Sequence, residues 1–203
     1  MNLNDYPFYK RLDRDALDFL SKNLKPISIK EGNILFFQGD VCENILFLIS
    51  GRVRLYIQSQ DADEITLYEL KSGEQCIVNT ASTLSETQAI GSAVTLSDIE
   101  GYLLDVSSVK ELAHMSSEYQ SFLFSVYTLR MSHLAQLVND IKFKRLDERV
   151  LEWLISKERE IIYITHEEIA NNLGSSRVVI SRTLKDLEHS GKVLLTRGAI
   201  KVM

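Results

Sequence analysis

The sequence predicts an α+β protein in three parts: an N-terminal antiparallel β-roll, a long helix, and a small module of three helices closed by a β-hairpin. Three observations carry that prediction. Between residues 26 and 106, short β-branched and aromatic runs are punctuated by glycines, with no long helical pattern between them. From about Ser116 the apolar residues recur at steps of three and four. After residue 141, the stretch THEEIANNLGSSRVV combines two helix starts with a glycine stop between them.

The first part, residues 1–115, begins with a short helix over Arg14 to Asn23. The strand candidates are NILFFQ, NILFLIS, RVRLYIQ, EITLYEL, AVTLS and GYLLDV, and Gly32, Gly39, Gly51, Gly73, Gly91 and Gly101 fall at turn-like places. Many short strands with regular turns indicate an antiparallel barrel or roll.

The second part, residues 116–141, has the seam of a coiled coil in Leu123, Tyr127, Arg130, Leu134, Leu137 and Ile141. Phe122, Val126, Leu129 and His133 form a neighbouring stripe. A helix with two such stripes is expected to pack one on its own roll and the other on a second copy, giving a homodimer. The alternative is a long helix packed on one core only.

The third part, residues 142–203, opens with a helix over Asp147 to Lys157. A second helix starts at Thr165-His166-Glu167-Glu168, a capping box, and runs to Leu173, where Gly174 can take the left-handed conformation that ends it. Ser175 or Ser176 caps a third helix that Gly191 ends. Lys192 to Met203 reads as two strands around Arg197-Gly198, a wing. Helix, glycine turn and helix form the helix-turn-helix pattern.

Helical periodicity divides the third helix into two arcs. Ile180, Thr183, Leu184 and Leu187 suit a small core, whereas Arg177, Val178, Ser181, Arg182 and Lys185 occupy a separate arc. Arginine can pair with guanine, serine with a base or phosphate, and valine with a thymine methyl, so this arc has the equipment of a helix that enters the DNA major groove. With Thr165, Ser175 and Ser176 at the helix starts, these are the candidate DNA-binding residues. An ordinary solvated face is the competing reading; the capping box, glycine turn and wing favour DNA.

Composition agrees with this division. The 203 residues are 45% hydrophobic and 25% charged, as in globular proteins. The net charge of −5 is unevenly spread: residues 1–140 carry 11 Lys and Arg against 19 Asp and Glu (−8), residues 141–203 carry 12 against 9 (+3). No apolar run reaches the ~18 residues of a membrane span and the start lacks signal-peptide form, so no membrane partner is expected. Two cysteines, Cys42 and Cys76, suit a reduced cytoplasmic setting. His114, His133, His166 and His189 all lie outside the strands, which argues against a metal site in the roll, and no catalytic constellation can be placed. An enzyme is not expected.

The stretch EGNILFFQGDVCENILFLISGRVRLY resembles the roll signature of the cyclic-AMP receptor and fumarate-nitrate reductase regulator (Crp/Fnr) family, and EEIANNLGSSRVVISRTLKDLEHSGKV is similar to its helix-turn-helix. The resemblance spans nearly the whole chain. It implies a homodimeric transcription regulator with an effector-sensing roll of cyclic-nucleotide-binding type, a dimerisation helix and a winged helix-turn-helix. Such a dimer reads a palindromic operator in double-stranded DNA, half-sites about one helical turn apart, and RNA polymerase is a further expected partner. Arg177 and Arg182 match the family's base-reading arginines, and Ser181 matches a serine of its oxygen-regulator branch. Val178 stands where many members have Glu. Valine cannot accept from cytosine N4, so the half-site is expected to differ, with a thymine contact at Val178 or none. A signalling adaptor that has lost DNA binding is the alternative class.

Cyclic-nucleotide members follow Gly-Glu with a downstream Arg-Ser whose arginine pairs with the phosphate. Here Gly73-Glu74 is present, but the matching stretch is Gln88-Ala89-Ile90-Gly91-Ser92-Ala93, and no Lys or Arg occurs between Glu74 and Ser108. Leu134-Ala135 replaces the Thr-Ser pair that touches the base. Cyclic AMP is therefore not the expected effector, and too few cysteines are present for a Cys-ligated iron–sulfur cluster. Effector contacts are expected among Gly73, Glu74, Cys76, Ile77, Leu84, Ile90 and Leu134, with no resident cofactor. Cys76 reads as a structural residue, a redox-responsive thiol with or without Cys42, or a haem ligand. The uncharged walls Ile77, Val78, Leu84, Ile90 and Val94 suit a small neutral ligand, or a collapsed pocket in a protein that binds DNA constitutively.

Overall fold

A computed structural model describes residues 3–59 and 64–203, with residues 140–143 described as helix backbone only. The chain forms two compact units, residues 1–57 with 67–132 and residues 58–66 with 133–203, so the long helix is shared between them.

The roll is built on strands β1 (Lys25–Ile29), β2 (Ile34–Phe36), β3 (Asn44–Ser50), β4 (Val53–Gln58), β5 (Glu64–Leu70), β6 (Ser92–Thr95) and β7 (Ile99–Asp105), of which Gln58 and Glu64–Thr66 fall in the second unit. They form an antiparallel sheet of order β1-β7-β3 and a four-stranded sheet of order β2-β6-β4-β5. Alternation along the strands sends Leu48, Val53, Leu55, Leu70, Ala93 and Ile99 into one core with Cys42 and Cys76. A second core joins the roll to the helices α1 (Arg14–Asn23), α3 (Val106–Met115) and α4 (Ser117–Phe143). Its centre is aromatic: Tyr6, Phe8, Phe47, Tyr119 and Phe122 meet with centroid separations of 4.9 to 6.5 Å.

Two helices were not expected from the strand-like pattern: α3, and α2 (Ile77–Ser85). Polar, β-branched and small residues dominate α2, a composition with low helix propensity. It forms because Cys76 caps it and its buried polar groups find partners: Asn79 bonds the backbone of Asn44 and Leu46, and Gln75 donates to Thr80 and Tyr119.

The seam expected on α4 is corrected in its first half. Leu123 is buried and Tyr127 half-buried against the roll core, and Arg130, 4% exposed, is turned into the same roll. The N-terminal segment from Leu3 to Phe8, with no periodicity of its own, supplies the apolar surface that draws this stripe inward. Of the neighbouring stripe, Phe122 and Val126 also pack on that core, but Leu129 is exposed. Phe124 (72%), Met131 (68%) and, in the second unit, Val138 (64%) are exposed as well, at heptad spacing. Leu134 and Leu137, also in the second unit, are half-buried; the side chain of Ile141 lies outside the described residues.

The second unit packs α5 (Leu146–Ile155), α6 (His166–Leu173) and α7 (Arg177–His189) against a sheet of order β8-β10-β9, from β8 (Ile161–Tyr163), β9 (Val193–Thr196) and β10 (Ala199–Val202). The expected wing is present, with β8 as an additional strand. Val150, Leu154, Ile169, Ile180, Leu184 and Ile200 form its core.

Candidate nucleic-acid interface and roll cavity

The helix-turn-helix is held by local chemistry. Glu168 N–H donates to Thr165 Oγ1 at 3.1 Å, and Thr165 N–H donates to Glu168 Oε2 at 2.7 Å, completing the capping box. Gly174, at φ +61°, closes α6 in a conformation that costs other residues a Cβ clash. Ser176 then caps α7, accepting from Val179 N–H at 3.3 Å, so of the two serines it is Ser176 that starts the helix. Arg149 donates to Leu173 O, satisfying a terminal carbonyl of α6.

On α7, Ile180, Thr183, Leu184 and Leu187 are buried, as the periodicity predicts. Arg177, Val178 (61% exposed), Ser181, Arg182 and Lys185 line one shallow concavity of about 230 Å³. The expected reading face is thus one contiguous surface. Thr165 is engaged in the capping box, and Ser175 is half-buried in the turn. Ser181 Oγ lies 2.8 Å from Arg177 O and 2.8 Å from His166 Nδ1, a partner that the periodicity of α7 does not reveal.

Inside the roll is a cavity of about 490 Å³. Its walls are mainly apolar, including Ile29, Leu48, Val53, Leu70 and Ala93, and both cysteines line it. Asp40, Glu43 and Glu74 are its charged lining residues; among the described residues no lysine, arginine or histidine lines it. Burial pushes the Cys76 thiol up, only partly offset by bonds from Asn79 N–H and Tyr68. Tyr68 Oη lies 3.6 Å from Cys76 Sγ, and burial raises that phenol as well. The guanidinium of Arg130 sits over the Tyr68 ring at 4.1 Å, and its Nη2 donates to Glu74 Oε2 at 3.0 Å. Cys76, Tyr68, Arg130 and Glu74 therefore form a connected set between the cavity and α4.

Of the expected effector contacts, Glu74 and Cys76 line the cavity. Gly73 serves the fold instead: at φ +78°, a Cβ there would lie 2.6 Å from Asp5 O. Three expectations are corrected. Ile77, on α2, is half-buried outside the cavity lining, Leu84 packs against the aromatic core, and Ile90 is 64% exposed on the surface. The helical turn of α2 rotates Ile77 and Leu84 away, which a strand-like reading could not anticipate. Leu134 belongs to the second unit. Cys42, Asn79 and Asp40 are lining residues whose place only the folded roll reveals.

Comparison with known proteins identifies each of these two regions. Residues 26–116 match the family model for a cyclic nucleotide-binding domain, and residues 148–203 that for a Crp-like helix-turn-helix domain. The chain is 23% identical to a CRP-like cAMP-activated global transcriptional regulator of Mycobacterium tuberculosis, covering 96% of this chain and 91% of that protein. It is 28% identical to the cyclic AMP receptor protein of Thermus thermophilus, covering 92% and 86%. A solved transcriptional regulator of the Crp/Fnr family from Eubacterium rectale superposes with a TM-score of 0.88 at 29% identity, over 98% of this chain and 94% of that one. No described helix is long and apolar enough to cross a membrane. The chain belongs to the Crp/Fnr family of DNA-binding transcription regulators and is not an enzyme.

Proposed function

We propose that this regulator acts in the cytoplasm as a homodimer on a palindromic operator, and that its effector is a small, neutral, largely apolar molecule held inside the roll. The observation that carries the effector reading is the lining of the 490 Å³ cavity, apolar with carboxylates and, among the described residues, no cation. A cyclic phosphate placed there would keep an uncompensated charge beside like charges, at a cost of several kcal/mol. The residues present do not fit a cyclic nucleotide. Haem would lack a histidine, and a thiol held protonated by burial is a poor redox sensor or metal ligand. Arg177, Val178, Arg182 and Lys185 face the major groove in this reading, and RNA polymerase is met by another surface. The exposed heptad of Phe124, Met131 and Val138 supports pairing of two α4 helices. A ligand that reshapes the cavity would act on α4 through Cys76, Tyr68, Glu74 and Arg130, biasing how the two copies of α7 are presented.

The test is affinity for the gene's own upstream DNA at one fixed salt concentration, with and without reductant, and against a panel of small neutral compounds and cyclic AMP. A shift with a neutral compound, lost in Ala93→Leu, supports the reading. A shift with cyclic AMP overturns it, and one with reductant, absent in Cys76→Ser, would make this a redox regulator. Affinity that ignores every addition would indicate a constitutive binder.

A further inference from the structure

The two contacts of Ser181 determine what it can offer to a base. Arg177 O can only accept, and at 2.8 Å it takes the single hydroxyl proton of Ser181. His166 Nδ1, also at 2.8 Å, must then carry a proton of its own, because two lone pairs facing each other at that distance repel. His166 is the donor, in the neutral Nδ1–H tautomer and in the imidazolium alike. Ser181 Oγ is left with one lone pair and no proton. A serine without such partners can give to or accept from either strand of a base pair; this one can only accept.

We infer that His166 makes Ser181 an acceptor-only reader, selecting a base that presents an amino group in the major groove, cytosine N4 or adenine N6. Guanine offers Ser181 only O6 and N7, and thymine only O4 and a methyl, so both are disfavoured at that position. The inference rests on α7 facing DNA. His166 is a positioning residue. As the first residue of α6, after the Thr165 cap, its ring is set by a helix other than the one that reads. Specificity at one position of the half-site is thus set from outside the recognition helix, where a comparison of α7 sequences alone would miss it.

The full-length protein tests this on duplexes selected from a randomised pool, with every base pair substituted in turn at one fixed salt concentration. Ser181→Ala identifies the position that Ser181 reads. At that position the wild type is expected to favour cytosine or adenine by about 3- to 10-fold. His166→Ala should flatten that preference while leaving the positions that depend on Arg182 unchanged, and His166→Asn, whose amide can donate to the hydroxyl, should restore it. A wild-type preference for guanine or thymine, a preference kept in full by His166→Ala, or no position sensitive to Ser181→Ala would overturn the inference. The wild-type preference decides even if a His166 variant fails to fold. Absence of any sequence selection by the wild type would instead overturn the DNA-facing reading of α7.

Discussion

The exposed face of α7 and the interior of the roll hold their polar groups in opposite ways. On the exposed arc of α7, two arginines and a lysine point outward beside Ser181, whose hydroxyl is committed to Arg177 O and His166. In the roll, the guanidinium of Arg130 is already engaged by Glu74 and Tyr68, and the lining cysteines are buried. A surface that meets a large, uniformly charged partner can remain open until the partner arrives, because water solvates its charges. An interior site cannot leave charges unpaired, so its chemistry is shaped by its own fold before any ligand enters. The exposed arc of α7 therefore keeps its charges available to solvent, whereas the cavity has its polar groups fixed by the fold.

The largest expected effect falls on α4, the helix divided between the two units. Met131→Asp places a charge on the exposed heptad and should convert a dimer to a monomer in sedimentation; a surviving dimer would move the interface off Phe124, Met131 and Val138. Within α7, Leu184→Ala should cost roughly 2–5 kcal/mol in denaturant unfolding, since Leu184 is wholly buried. Two positions earlier, Arg182→Ala should leave stability nearly unchanged but cost about 1–3 kcal/mol of binding to a selected operator and relax preference at one base pair. Equal losses of stability in both variants would erase the contrast between the buried and reading arcs.

The smallest effect concerns the roll. Asp105 caps α3 through Ser107 and Ser108, and these bonds hold its carboxyl down at about 2 from an ordinary 3.8. A depressed carboxyl stabilises the folded state above its unfolded value, so this contribution is complete above about pH 4 and is lost as pH falls from 4 through 2. Asp105→Ala should cost about 1 kcal/mol at neutral pH and flatten that part of the acid-unfolding profile.

The C-terminal unit was readable in advance because its signals are local. A capping box, a glycine at positive φ and a 3.6-residue period each act within a few residues, and all appear where the residues Thr165, Gly174 and Ile180 put them. Several strands of the roll were likewise marked by the turns around them. The family resemblance, carried by those same motifs, agreed with both units.

What local pattern did not determine depends on residues distant in sequence. Ile77 and Leu84 left the expected pocket because α2 is stabilised by buried polar partners on β3 and α4, not by its own apolar period. Arg130 left the expected seam because Glu74 and Tyr68 stand beside it only after the roll closes. Ser181 was marked as a reader by α7 alone, but its contact with His166 comes from across the turn. The amino-acid sequence by itself determined the division into roll, long helix and helix-turn-helix and the separation of a buried from an exposed arc on α7, since these follow from short-range periodicity and caps. Tertiary packing decided which side of α4 remains exposed, what lines the cavity and what Ser181 can still offer, because each depends on desolvated partners that no local pattern brings together.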